Sequence, residues 1–165
     1  MRTFFSILIV CLLLCMNLLF GVGARPAQEG REAVHNRQGL AHFDEALYDR
    51  VPKGQQKEAD RAFDLAAAEF RSAIAAKPDF VEAHRNLARL YYVRKQFAEA
   101  AASYRTVTLL NPKDIDAYVL TALACTQLEL WKEALVQLEI AKTQTVDRET
   151  IRKLDGYIQK IRERQ

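Results

Sequence analysis

A spacing constrains this chain more than any other feature. Lys77-Pro78-Asp79 recurs as Asn111-Pro112-Lys113, 34 residues further on. At the same offset Phe63-Asp64-Leu65-Ala66 aligns with Phe97-Ala98-Glu99-Ala100, and again with Trp131-Lys132-Glu133-Ala134. Phe70, Tyr104 and Leu138 then share one column, and Ala73, Val107 and Ala141 another. A fixed period of this length dictates architecture. One such unit cannot bury its apolar face alone and does so by stacking on its neighbours.

Between the breaks at Pro52, Pro78 and Pro112 the pattern from Arg31 onward is helical, with no strand-like alternation. Each unit reads as two antiparallel helices: Phe80–Arg94 with Phe97–Leu110, then Ile115–Leu128 with Trp131–Thr143. Ala88 faces Ala100 in the middle unit, and Ala122 faces Ala134 in the next. Larger side chains there would push the helices beyond the roughly 8–10 Å of close packing. Tyr91, Tyr92, Phe97 and Tyr104 fill the space between units.

The period, the small–small–aromatic–Ala columns and the closing Pro resemble the tetratricopeptide repeat (TPR) family over about Glu32 to Thr143. Leu87, Ala88, Tyr91, Ala100, Tyr104 and Pro112 make the middle unit the clearest copy. The third departs with Thr121, Cys125 and Val146 where Leu, Tyr and Pro are usual. The resemblance implies an all-α helical-hairpin solenoid of about three repeats, over 32–79, 80–113 and 114–146. In the first repeat Gly39 takes the small position, but 27 residues separate it from Ala66, against 12 between Ala88 and Ala100. Fifteen extra residues therefore lie in this hairpin, around Glu45–Glu58, with Pro52-Lys53-Gly54 as the turn. Both helices should run on for nearly two turns, giving an arm of roughly 10 Å. It is either a tolerated insertion or a contact element carrying Leu47, Tyr48 and Val51 at its tip.

Residues 147–165 form a last helix with an apolar stripe of Ile151, Leu154, Ile158 and Ile161. A solenoid needs a polar-backed helix to cover its final open face, so this helix caps the array. Glu149, Asp155 and Glu163 among its basic residues argue against a membrane-surface helix.

At the other end, residues 1–24 read as an export signal or an N-terminal membrane anchor. Arg2 precedes an apolar run, Phe4–Phe20, broken only by Ser6 and Asn17, and Val22 and Ala24 suit a cleavage site. Uncleaved, the stretch from Phe4 to Gly23 is long enough to span about 30 Å of hydrocarbon. Cys15 fits a lipidation motif poorly, because large Leu12 to Leu14 precede it. Residues 25–31 are a short linker. The rest of the chain is then expected to be periplasmic or extracellular, or tethered to the membrane by its first residues. Cys125, the only cysteine beyond the leader, is read as a small buried apolar side chain.

Charge and motifs exclude several function classes. The 24 basic and 21 acidic residues, net +3, are interspersed rather than gathered into the basic face of a nucleic-acid binder. His35 and His42 share a helix face without an accompanying ligand motif, His84 stands apart, and Ser72 and Ser103 have no paired base. No haem, zinc-protease, phosphate-loop or nucleophile-elbow motif occurs. The expectation is a protein without catalytic activity, metal or cofactor.

What remains is a surface. The resemblance places the first helix of each pair on a concave groove that holds extended or helical peptides. Matched by column, the groove is lined by Asn36, Leu40 and Phe43, then by Arg85, Asn86, Arg89 and Tyr92, then by Val119, Leu120, Leu123 and Thr126. Arg85 and Arg89 lie one turn apart and can converge on one carboxylate beside Asn86. That resembles part of the carboxylate clamp of some TPR co-chaperones, but the third unit is apolar where the clamp is basic. The competing role for these arginines is pairing with Glu82 or Glu99. The sequence thus suggests an adaptor or scaffold of the cell envelope, binding a peptide or complex subunit in the groove. The alternative is a self-associating structural scaffold anchored at the membrane, for which homo-oligomers are expected.

Overall fold

Proline sets the boundaries of the first two repeats. A residue before proline is driven out of the α region. Lys77 accordingly has φ −146° and ψ 96° and ends the helix Gln56–Ala76, while Asn111 has φ −135° and ψ 84° and ends Phe97–Leu110. The same turn follows each: Phe80 N–H donates to Lys77 C=O and Asp114 N–H to Asn111 C=O, both at 3.1 Å. The computed structural model describes residues 29–164, and the segment read as signal or anchor, 1–24, lies outside them.

In chain order the α-helices of the described residues are α1 (Arg31–Asp44), α2 (Gln56–Ala76), α3 (Val81–Val93), α4 (Phe97–Leu110), α5 (Ile115–Gln127), α6 (Trp131–Thr143) and α7 (Arg148–Arg162). No strand occurs among the described residues. Three hairpins, α1–α2, α3–α4 and α5–α6, stack in sequence, and α7 packs on α6. Asp114 caps α5 by accepting from Ala117 N–H at 3.1 Å, and Asp147 caps α7 through Thr150 N–H at 2.8 Å.

Every hairpin turns in the same way. Gly54, Lys95 and Glu129 adopt left-handed φ values of 69°, 60° and 58°. The residue after each donates back across the turn: Gln55 to Arg50 C=O at 3.1 Å, Gln96 to Tyr91 at 2.8 Å and Leu130 to Cys125 at 2.9 Å. This six-to-one bond satisfies a carbonyl that the helix end would otherwise leave unpaired.

The common turn shows how the insertion is accommodated. From Gly39 to Gly54 is 15 residues, whereas Ala88 to Lys95 and Ala122 to Glu129 are 7 each. On the return, Gly54 to Ala66 is 12 residues, against 5 in both later hairpins. The outgoing arm therefore carries eight extra residues and the returning arm seven. Seven residues complete almost two α-turns and preserve the helix face, but an eighth would rotate it by about 100°. The outgoing arm absorbs that residue in a π-helical segment, Glu45–Arg50, whose wider turn holds one more. The two arms stay matched up to the turn at residues 51–54.

Arg50 and its neighbours stitch this end together. Its guanidinium donates to Glu45 at 2.6 Å and to Gln55 at 3.2 Å, and Lys53 pairs with Asp49. Of the three residues expected at the tip, Leu47 instead packs half-buried against the core, and only Tyr48 and Val51 are exposed.

The core is divided along the solenoid. One cluster gathers Phe43, Phe63, Ala66, Phe70, Leu87 and Leu90, and the other Ala88, Ala100, Tyr104, Ala122, Ala134, Leu138, Leu154 and Ile158. Helix α3 sends residues to both, and Tyr91 packs against each. All four small residues expected at close approaches, Ala88, Ala100, Ala122 and Ala134, are buried. Ile161, Ile158 and Leu154 of α7 seal the second cluster, which gives this helix the covering position its stripe predicts.

Candidate functional site

Side chains link the first helices of the three hairpins into a row, and α7 continues it by lining a cleft with α5. At its α1 end, Asn86 of α3 donates to Asn36 Oδ1 at 2.9 Å. Arg89, one turn on, lies over the Phe43 ring at 4.7 Å and donates to the Tyr48 hydroxyl at 3.2 Å. Arg85 reaches the other way and pairs with Asp114, the residue capping α5, whose side chain is only 7% exposed. All three residues of the partial clamp thus contact other repeats. Arg85 meets Asp114 rather than Glu82 or Glu99, because Asp114 opens the next repeat where α3 and α5 converge.

Phe43 requires a correction. Assigned to the groove lining, it is 1% exposed and belongs to the core, its ring edge-on to Phe63 at 5.8 Å. Arg89 covers the face that the groove would otherwise reach. Leu40 is half-buried against the same cluster, and Tyr92 sits edge-to-face with Phe97 at 5.4 Å.

Burial of Tyr104 beneath this stretch raises its hydroxyl pKa to about 12, although Arg85 and Arg89 pull in the opposite direction. Nearby, Arg105 pairs with Glu133 and lies 4.0 Å from the Cys125 sulfur. Burial, assisted by Glu133, pushes the Cys125 thiol pKa up, consistent with the packing role expected of it. His35 lies 2.7 Å from Glu69 on α2, which gives it a structural partner. Among the described residues no cluster of His, Cys, Asp or Glu is arranged to hold a metal ion.

At the far end of the row the surface changes character. Val119, Leu123 and Thr126 of α5 line an open cleft of about 220 Å³, with Trp131 and Leu138 behind them. Tyr157, Lys160, Ile161 and Arg164, contributed by α7 and the residues just after it, close the other side. The structure thus brings together the third-repeat residues Val119, Leu123 and Thr126 of the expected lining, while Leu120 packs against the core. It adds a wall from α7 that column matching missed. The spacing 157–160–161–164 is one helix face beside the apolar stripe, and that was the available signal.

Residues 58–124 match the tetratricopeptide repeat family. The TPR2B domain of yeast Sti1, in its pHsp70 complex, superposes with a TM-score of 0.63 at 17% identity, over 82% of this chain and 98% of that one. The Arabidopsis OM64 TPR domain gives 0.58 at 19%, over 78% and 94%. The first TPR domain of Spaghetti (RPAP3), bound to the HSP90 peptide SRMEEVD, gives 0.56 at 19%, over 78% and 93%. The comparison with curated proteins found no match. The shared hairpin turn, the 34-residue columns and the family match mark residues 58–124 as tetratricopeptide repeats, and the solved structures show that the chain has the TPR fold.

Proposed function

We propose that this protein is a non-catalytic adaptor of the cell envelope that holds a segment of a partner protein across the row of α1, α3, α5 and α7. The open apolar cleft between α5, α6 and α7 carries this reading. A folded chain seldom leaves a lined apolar recess beside two cations unless something enters it. The TPR domains of Sti1 and RPAP3 were solved with pHsp70 and an HSP90 peptide, which supports a peptide-like partner here. The envelope location rests on residues 1–24, an apolar run with small residues at a cleavage position.

The test is a photo-crosslinking residue placed at Leu123 in the cleft or at Val136 on the opposite surface, in the protein's own cells. A stoichiometric partner captured from position 123 and not from 136 is expected, with the chain recovered from the envelope fraction. Equal capture from both positions, or only crosslinks between copies of this chain, would refute the groove reading in favour of a self-associating scaffold.

A further inference from the structure

We infer that the occupant of the α5–α6–α7 cleft is an internal segment of a partner protein bearing one large apolar side chain flanked by aspartate or glutamate. This rests on the adaptor reading and gives its partner a chemistry. Three observations carry it.

The cleft accepts an apolar group and rewards little else. Val119, Leu123, Leu138 and Ile161 offer no polar atoms, and the Thr126 hydroxyl is already spent on Leu123 C=O at 2.7 Å. A charge pushed inside would be desolvated without partners.

The edge carries uncompensated positive charge. Lys160 and Arg164 are exposed and one helical turn apart, and neither meets a carboxylate within ion-pair distance among the described residues. Of the other basic residues at this end, Arg148 and Arg152 also lack an ion pair among the described residues, while three have one. Lys142 pairs with Asp155 at 2.6 Å, Lys153 with Glu149 at 2.8 Å and Arg162 with Glu139 at 3.6 Å. The one nearby acid in sequence, Glu163, accepts instead from Gln159 at 3.0 Å. What sets Lys160 and Arg164 apart is their place: two unpaired cations at the mouth of an apolar recess complement an acidic segment.

The third observation places the negative charge on flanking side chains rather than on a chain terminus. The groove's middle, where Arg85 and Arg89 would converge on a terminal carboxylate, is taken up by Asp114, Phe43 and Tyr48. At the cleft the cations stand at the mouth while the interior is apolar. The inserted group must therefore be neutral, and the charge sits on residues before and after it.

Trp131 lines the cleft and is the chain's only tryptophan, so its fluorescence reports occupancy. The full chain is titrated with an acetylated, amidated heptapeptide carrying a central phenylalanine between two pairs of glutamates. Saturable change in Trp131 emission is expected, lost when the phenylalanine becomes alanine and weakened when the glutamates become glutamines. Lys160→Met and Arg164→Met should each weaken the acidic peptide roughly two- to fivefold while leaving the glutamine peptide unaffected.

Equal affinity for acidic and glutamine peptides would overturn the inference and leave the adaptor reading intact. Tighter binding of a peptide ending in a free carboxy-terminal phenylalanine would overturn the internal-segment assignment. An emission change that follows protein concentration alone would mean that a second copy fills the cleft. No response to any peptide would overturn the inference, and crosslinking from position 123 would then judge the adaptor reading separately.

Discussion

Gly39 offers the sharpest test of how the first repeat is packed. A Cβ built on it would lie 2.6 Å from Phe70 Cε1 and 2.7 Å from Cδ1, where ordinary contact begins near 3.4 Å. The ring would have to retreat by several tenths of an ångström. Phe70 is fully buried, in a cluster with Ala66, Ala67 and Phe43, so that movement displaces core side chains. Overpacking of this kind costs about 1–3 kcal/mol. Alanine regains about 1 kcal/mol over glycine in a helix interior, which leaves Gly39→Ala destabilised by up to about 2 kcal/mol. With an m-value near the middle of the usual range of about 1–3 kcal/mol/M, the urea midpoint followed by far-ultraviolet circular dichroism should fall by up to roughly 1 M. Gly156→Ala is the control: nothing lies within 4 Å of its Cβ position in α7, and it should gain up to about 1 kcal/mol. Adding Phe70→Leu to Gly39→Ala should give a favourable coupling, because a smaller side chain yields the space. If Gly39→Ala moves upward as Gly156→Ala does, or Phe70→Leu gives no favourable coupling with it, the close approach of α1 to Phe70 is wrong.

Asp114→Ala removes the α5 cap and strands Arg85, so it should cost about 1–2 kcal/mol in urea unfolding, while Asp114→Asn keeps the cap acceptor and should recover part of that. With its folded pKa raised to about 12 above an ordinary 10, Tyr104 contributes stability that is complete below pH 10 and lost as pH climbs through 12. Ultraviolet titration should therefore show one of the chain's six tyrosines ionising late, or together with unfolding. Lys95→Gly relieves a left-handed backbone at an exposed turn and should raise the unfolding midpoint by the equivalent of about 1 kcal/mol, a gain that a helical φ at this residue would not allow.

The period made most of the architecture readable. Proline and small-residue columns act through local sterics, so Pro78, Pro112, Ala88 and Ala134 report helix ends and close approaches from sequence alone. The division of 15 extra residues into eight and seven was not readable, because the π-helical segment that accepts the odd residue has no signature in Glu45–Arg50. Site residues were harder for a related reason. Arg85 and Asp114 are 29 apart, and Asn36 and Asn86 are 50 apart. Such pairs join different repeats at offsets that a 34-residue column cannot display. Phe43 misled because column matching gives a helix face and not what lies over it, here the Arg89 guanidinium. The wall of the cleft from α7 lay outside the repeat altogether, and only helical spacing within that helix could suggest it.

The π-helical segment also bears on how this hairpin tolerates changes in length. Loss of one residue from within Glu45–Arg50 can be met by return to ordinary α-helical winding, with the Gly54 turn and the returning arm unmoved. Loss of one residue from Gln56–Ala62 has no such reserve, and would swing Ala59 and Ala62 off the core. The outgoing arm can therefore lose one residue over evolution at little cost, whereas the returning arm keeps its face to the core only if it is shortened by two whole turns.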